Sequence, residues 1–263
     1  MNDLSNKLKE VAYFFLKIMT GNKGVERNIN DFKVRFPARW SRYYESDYEA
    51  GNYKFLKNHV KPGMHIIDVG AHLGLFSVVS SQLTTETGKV VCFEPASGTY
   101  ELLKQTLQLN HCRNVTAIQG AVSNKEGSAT FYIGPTAGCN SNSLVNNQPE
   151  KGGTTNEVKL FTIDGIASTD SLQPGLIKID AEGAEFDILK GAASTLRQYK
   201  PILILGLHPG FIRQKGDSLG DIWDLLQRSG YEVNENENRL TRSDFCNRTL
   251  LFDVHCIGSK SAG

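Results

Sequence analysis

The sequence predicts an α/β protein built on a mostly parallel sheet with helices on both faces. Three observations carry this. From about Glu45 onward, short apolar runs alternate with amphipathic helical stretches; the first such run passes directly into a glycine turn; and carboxylates stand where three of the runs end. At 263 residues the chain amounts to about 1.75 domains of ordinary size, a length that α/β folds often use as a single unit. The expected organisation is an N-terminal helical appendage or cap over 1–44, one sheet domain over 45–258, and a short tail over 259–263.

The elements follow in order. Leu4, Leu8, Val11, Phe15 and Ile18 recur at helical spacing, which predicts a helix with one apolar face. That face would pack on its own domain or on a second copy of the chain, giving a homodimer; attachment to a membrane surface is the alternative, with which Lys7, Lys9 and Lys17 are compatible. Residues 21–45 interleave Arg27, Lys33, Arg35, Arg39 and Arg42 with Phe32, Phe36, Trp40, Tyr43 and Tyr44, a pattern read as a polar surface over a small aromatic cluster. Strands are expected at His65–Val69, Lys89–Phe93, Val115–Ile118, Ala129–Ile133, Val158–Thr162, Leu176–Ile179, Ile202–Leu207, Tyr231–Asn234 and Leu250–Ile257. Helices are expected at Leu75–Leu83, around Tyr100, Leu103 and Leu107, along the face Phe186, Leu189, Ala193 and Leu196, and at Ile222–Arg228. The last two strands have no helix between them, so one of them should run antiparallel. The Gly, Asn, Ser and Thr-rich stretch from Gly134 to Glu157 reads as a long loop near the ligand edge of the sheet.

Composition narrows the function. Lys and Arg number 29 against 28 Asp and Glu, so the chain has no global field for a polyanion and no nucleic-acid partner is expected. Five cysteines without a C-x-x-C pair read as free thiols in a reducing compartment, and the expected location is cytoplasmic. The run Val11–Met19 is too short to span a bilayer and lacks a cleavage site, so neither a transmembrane segment nor a secretory leader is expected.

In an open parallel sheet, ligands sit beyond the carboxyl ends of the strands. The first strand there ends in Asp68-Val69-Gly70-Ala71-His72-Leu73-Gly74. Gly70 permits a tight turn, and Gly74 lets the next helix start close to the strand. The spacing is not G-x-G-x-x-G, and no lysine follows the second glycine, so neither a dinucleotide fingerprint nor a phosphate-cradling loop is present. An acid in the turn would repel a diphosphate and suit a cationic ligand. Glu94 closes the second strand, where an acid can accept hydrogen bonds from ribose hydroxyls. Further on, Asp180 and Glu182 leave the strand Leu176–Ile179 two residues apart, and in an extended exit both would point into the cleft. Glu185 falls in the first turn of the following helix, which favours a structural role. His208 ends the Pro201 strand beside those carboxylates and is a candidate acid or base.

These residues resemble the FkbM family of S-adenosylmethionine-dependent methyltransferases. The likeness runs from Pro62 to Pro209 through IDVGAHLG (67–74), FEP (93–95), GAVS (120–123), KIDAEGAE (178–185), LKGA (189–192) and the strand ending in His208. The resemblance implies a Rossmann-like, doubly wound sheet of seven strands, of the class I methyltransferase type, and transfer of a methyl group from S-adenosyl-L-methionine to a hydroxyl of a small-molecule or glycan acceptor, a sugar or a polyketide-type product. It places Asp68, Gly70, Ala71, His72 and Gly74 near the amino-acid part of the cofactor, Glu94 on its ribose, and Gly120, Ala121 and Val122 near the adenine. Two departures stand out: the acid that the family often carries two residues before the histidine is here Gly206, which removes that carboxylate from His208, and the usual paired serines of the long loop appear only as Asn140-Ser141-Asn142-Ser143.

For the reaction, Asp180, Glu182 and His208 are the catalytic candidates, with His208 or Asp180 as the base; a divalent cation held by Asp180 and Glu182 is the other route to an acidified hydroxyl. Three readings compete with small-molecule methylation. Macromolecule methylation lacks the N-P-P-Y signature, a nicotinamide oxidoreductase lacks the third glycine, and a cofactor-binding module without catalysis would bind the cofactor yet form no product.

Overall fold

The computed structural model describes Tyr13, Ile18, Thr20, Gly21, 23–134, Leu144, 153–169 and 171–258. The helix expected over 4–18 and the Asn140–Ser143 motif therefore lie outside the described residues, apart from Tyr13 and Ile18. No helix among the described residues is long and apolar enough to cross a membrane.

Within the span 1–44, expected as a helical appendage or cap, Tyr13 and Ile18 are helical, and the continuous stretch from Lys23 onward holds a β-hairpin, β1 (Val25–Ile29) and β2 (Phe32–Phe36), followed by a 3-10 turn at Ala38–Trp40. Its turn residues Asn30 and Asp31 both adopt positive φ, 49° and 70°, the geometry a two-residue hairpin loop requires. Ile29, Val34 and Phe36 are buried while Glu26, Asn28 and Lys33 are exposed, a two-residue period hidden in the sequence by interspersed arginines. After this hairpin come α1 (Ala50–His59), β3 (His65–Val69), α2 (Leu75–Thr84), β4 (Lys89–Glu94), α3 (Ser97–Leu109), β5 (Val115–Gln119), β6 (Ala121–Val122), β7 (Gly127–Ile133), β8 (Thr154–Phe161) and α4 (Ile163–Thr169). The chain continues through β9 (Pro174–Asp180), α5 (Glu185–Lys190), α6 (Ala193–Tyr199), β10 (Ile202–Leu207), α7 (Pro209–Gln214), α8 (Leu219–Arg228), β11 (Tyr231–Glu235), β12 (Asn238–Arg239), α9 (Arg242–Cys246) and β13 (Phe252–Gly258).

The main sheet has the order β12-β11-β13-β10-β9-β3-β4-β5. Seven strands form its body, and the two-residue β12 extends one edge. From β10 to β5 every pairing is parallel, whereas β13 runs antiparallel to both β10 and β11. The antiparallel strand expected near the C-terminus is therefore β13. The central strands are buried almost throughout, as parallel strands covered on both faces must be. Along β10, Leu203, Leu205 and Leu207 face a core with Ile188, Leu196 and Ile222, while Ile204 faces the opposite core with Leu56, Val79 and Leu103.

Two of the expected strands leave this sheet: β7 and β8 pair with β6 in a separate three-stranded sheet. Their burial explains it. Both carry mainly exposed or half-buried residues and only one or two buried ones, which suits a sheet wet on one face and not a buried parallel one. β8 begins at Thr154, so 154–157 belong to a strand instead of the expected loop. The helix α8 starts three residues earlier than its apolar pattern indicates, because Ser218 and Asp221 form a reciprocal capping box.

Candidate active site

The strand order reverses between β3 and β9, and a cavity of about 440 Å³ opens beyond the carboxyl ends there. Of the residues singled out in the sequence, Gly70, Ala71, His72, Glu94, Gly120, Ala121, Val122, Asp180, Glu182 and His208 line it; Asp68 and Gly74 do not.

The glycine turn is built on β4. The amides of Gly70 and Ala71 both donate to the Phe93 carbonyl, at 3.1 and 2.9 Å. Gly70 has φ of +80°, and a Cβ there would overlap the Asp180 carbonyl oxygen at the end of β9, so only glycine lets the turn approach the neighbouring strand so closely. The His72 amide donates to Glu94 Oε2 at 3.1 Å, and the Ala96 amide to Oε1 at 3.0 Å. Burial pushes the Glu94 carboxyl up to about 7, against the pull of these two amide donors. Gly74 serves packing: a Cβ there would stand 2.7 Å from Leu103 of α3.

Asp68 was expected against the cofactor and is instead fully buried behind the cavity. Its place in β3 alternates with Ile67 and Val69, so it faces α2, where Ser77 Oγ donates to its Oδ2 at 2.6 Å. Across the register lies Lys178, whose Nζ is 3.9 Å from Asp68 Oδ1 and 3.3 Å from Asp180 Oδ2. Burial pulls the Lys178 pKa down, but the charges of Asp180 and Asp68 more than offset this and hold the ammonium charged. Lys178 was not singled out in the sequence. Its signal was there, since a lysine between Ile177 and Ile179 in a buried strand needs a paired acid.

His208 stands at the carboxyl end of β10. Its Nδ1 is 2.9 Å from Glu185 Oε1, and its Nε2 is 3.8 Å from Asp180 Oδ1 and 3.6 Å from Glu182 Oε2. Burial pushes its pKa down, and the hydrogen bond and charge of Glu185, followed by the charges of Glu182 and Asp180, reverse this and raise it to about 9. Asp180 and Glu182 do converge on the histidine, though not through an extended exit. Glu182 adopts φ of +49° and Gly183 +97°, so the chain turns back sharply before α5. Burial raises the Glu182 carboxyl to about 7, with His208 pulling against it.

Position 206 is glycine where the resemblance led one to expect an acid, yet His208 keeps a carboxylate partner. Glu185, read from sequence as a helix-start residue, is fully buried; its Oε1 accepts from the Gly183 amide at 3.0 Å as well as facing His208. Sequence reasoning also passed over Tyr44, Tyr48, Glu49, Tyr53 and Asp253, which line the cavity from outside the recognised motifs. The Tyr44 hydroxyl lies 3.1 Å from His72 Nδ1, tying the segment read as an appendage to the glycine turn. Among the described residues no group of three or more His, Cys, Asp or Glu side chains has the geometry to hold a metal ion.

A parallel sheet with one inserted antiparallel strand, a glycine turn after its first central strand and an acid closing the next defines the class I methyltransferase architecture. Within that class the chain belongs to the FkbM methyltransferase family, whose domain model matches residues 68–233. It is 29% identical over 154 residues to methyltransferase sdnD of Sordaria araneosa, covering 48% of this chain and 59% of that protein. It is 25% identical over 146 residues to the hexuronic acid methyltransferase AglP of Haloferax volcanii, covering 54% of this chain and 55% of that protein. The match thus spans little more than half the length of these curated relatives. Among solved structures, the methyltransferase FkbM of Methylobacillus flagellatus aligns with a TM-score of 0.45 and 15% identity over 78% of this chain and 50% of that one.

Proposed function

We propose that the chain is an S-adenosylmethionine-dependent O-methyltransferase acting on a hydroxyl of a small molecule or glycan. The observation that carries this reading is His208, held by buried Glu185 and facing the same cavity as the glycine turn and Glu94. The cavity fits the cofactor by chemistry: acids dominate its charged lining, which suits a ligand with a sulfonium and an amino group, and its volume lies in the range of small-molecule sites. In this reading Glu94 accepts from ribose hydroxyls, the turn at Gly70, Ala71 and His72 holds the amino-acid part, and Gly120, Ala121 and Val122 flank the adenine. When bound, the cofactor supplies an electrophilic methyl group.

The protein's own work is to position the acceptor and take its proton. With Nδ1–H donated to Glu185, neutral His208 presents the lone pair of Nε2 to the cavity, where it receives the hydroxyl proton. Asp180 and Glu182 then stabilise the imidazolium formed. The AglP relative is named for a hexuronic acid, which supports a sugar-type acceptor at the level of the family. A homodimer through the apolar face expected over residues 4–18 belongs to the same proposal and is read by light scattering.

The test is calorimetric binding of S-adenosylhomocysteine together with transfer of labelled methyl groups to a panel of glycosides and polyketide alcohols. His208→Asn should still bind S-adenosylhomocysteine while transfer falls about 10²-fold or more. A native chain that does not bind this ligand, or a variant with undiminished transfer, refutes the reading. Transfer abolished by EDTA and restored by Mg²⁺ would move the acidification of the hydroxyl from His208 to a cation on Asp180 and Glu182.

A further inference from the structure

Sheet order divides the cavity into two halves. Gly70, Glu94 and Ala121 belong to the β3, β4 and β6 side, whereas Asp180, His208 and Asp253 belong to β9, β10 and β13. On the second side, Gly206 pairs in register with Asp180 on one flank and Asp253 on the other. A Cβ at Gly206 would stand 3.2 Å from Asp180 Cγ and 3.3 Å from Asp253 Oδ1, so the absence of a side chain leaves these two carboxylates facing one another over the strand. Glu49, at the start of α1, joins them. Asn52 Nδ2 donates to Glu49 Oε2 at 3.2 Å and to Asp253 Oδ2 at 3.0 Å, and Asn52 Oδ1 lies 2.9 Å from His255 Nε2. An amide fixed by a buried histidine thus holds two carboxylates side by side in the cavity wall.

The charges on this side do not balance. Lys178 sits between Asp68 and Asp180, and His208 is bonded to Glu185, so each cation already has a buried carboxylate of its own. Glu49 and Asp253 are left in excess, while the cofactor brings a net charge of only +1 and occupies the other half. The strain registers at Asp253, whose carboxyl is raised to about 6 by burial and then by the charges of Glu49 and Asp180. A ligand that brought a cation here would offset the mutual repulsion of these carboxylates, and one that brought a carboxylate would add to it.

We infer that the acceptor carries a protonated amine beside the hydroxyl to be methylated, as in an amino sugar, and that Asp253 and Glu49 seat the amine. The inference rests on the methyltransferase reading and names its substrate class. It separates this chain from a relative named for a hexuronic acid, because Glu49 and Asp253 both lie outside the 68–233 family match and would repel a uronate.

The experiment uses the full chain saturated with S-adenosylhomocysteine and measures, by calorimetry at pH 7, the binding of methyl glucosaminide, its N-acetylated form, methyl glucoside and methyl glucuronide. The glucosaminide should bind about tenfold or more tightly than the glucoside or the N-acetylated form, the size of a hydrogen bond to a charged group, and the glucuronide should bind weakest. Asp253→Asn and Glu49→Gln should each reduce that preference. If one variant loses its cooperative melting transition, the other carries the test. Equal or tighter binding of the glucuronide, an amine preference unchanged in the folded variants, or no binding of any of the four sugars overturns the inference. Failure of the underlying reading looks different: S-adenosylhomocysteine itself would not bind, or the glucosaminide would bind yet stay unmethylated when S-adenosylmethionine replaces S-adenosylhomocysteine.

Discussion

Replacing Glu185 by Gln isolates the contact on which the proposed base depends. In the native protein His208 is raised from 6.5 to about 9, and at 1.36 kcal/mol per pH unit its protonated form is favoured by roughly 3 kcal/mol over a free imidazole. The sign is fixed by linkage. A histidine whose folded pKa lies above its unfolded value supplies stability that is fully present below 6.5 and is lost as the pH rises through about 9. Glu185 provides the largest favourable contributions, and burial acts the other way, so Glu185→Gln should bring the midpoint down to 6.5 or below. Three readouts follow. The His208 Cε1–H resonance, assigned with His208→Asn, should titrate near 9 in the native chain and about two units or more lower in the variant. Thermal stability between pH 6.5 and 9 should decline in the native chain by more than in the variant. Methyl transfer should rise with pH toward 9 in the native chain, since only about 1% of the imidazole is neutral at pH 7. In the variant it should level off near pH 7, at a plateau roughly tenfold lower, because an amide holds Nδ1–H less firmly than a carboxylate. A native His208 that titrates near 6.5, or a midpoint that Glu185→Gln leaves in place, refutes the reasoning.

Two further perturbations probe the rest of the site. Gly70→Ala forces a Cβ into the Asp180 carbonyl at φ of +80° and should cost about 3 kcal/mol or more in urea unfolding; a variant as stable as the native chain would show that the turn can move away from β9. Glu94, raised to about 7 by burial, must be ionised to accept from two ribose hydroxyls, so S-adenosylhomocysteine affinity should fall as the pH drops from 8 to 6. In Glu94→Gln the affinity should be about tenfold or more lower and flat over that interval; a native affinity that does not change with pH would remove Glu94 from the ribose.

The sheet was legible because its strands are continuous apolar runs. Ile66-Ile67, Val90-Val91 and Leu203-Ile204-Leu205 are buried on both faces, and nothing but a covered parallel strand or a buried helix segment reads that way. The hairpin of β1 and β2 was less legible because Arg27 and Arg35 stand at half-buried positions where an apolar residue would mark the alternation, although Asn30-Asp31 offered a turn signal. The site was legible where chemistry follows a strand end, as at Glu94, Asp180 and His208. It was not legible where packing brings distant segments together: Glu49 and Asp253 are about 200 residues apart and are joined through Asn52.

Gly206 and Glu185 together show why a motif residue can be absent while its physical role persists. An acid at position 206 would crowd Asp180 and Asp253, each within 3.3 Å of where its Cβ would stand, and would add a fourth carboxylate to the wall shared with Glu49. His208 still requires a carboxylate, both to hold its tautomer and to favour its charged form, and Glu185 reaches it from the first turn of α5 at 2.9 Å. The supporting acid is thereby moved behind the histidine, out of the cavity, and into a buried pocket where the Gly183 amide also binds it. The same arrangement holds Lys178, which has buried Asp68 behind it and Asp180 in front. In both triads the buried carboxylate fixes the cation and the cavity-facing one borders the ligand. Of the two cations only the histidine can lose its proton near neutral pH, which supports the proposal that His208 takes the hydroxyl proton, while Lys178, charged throughout, anchors Asp180 at the boundary between the two halves of the cavity.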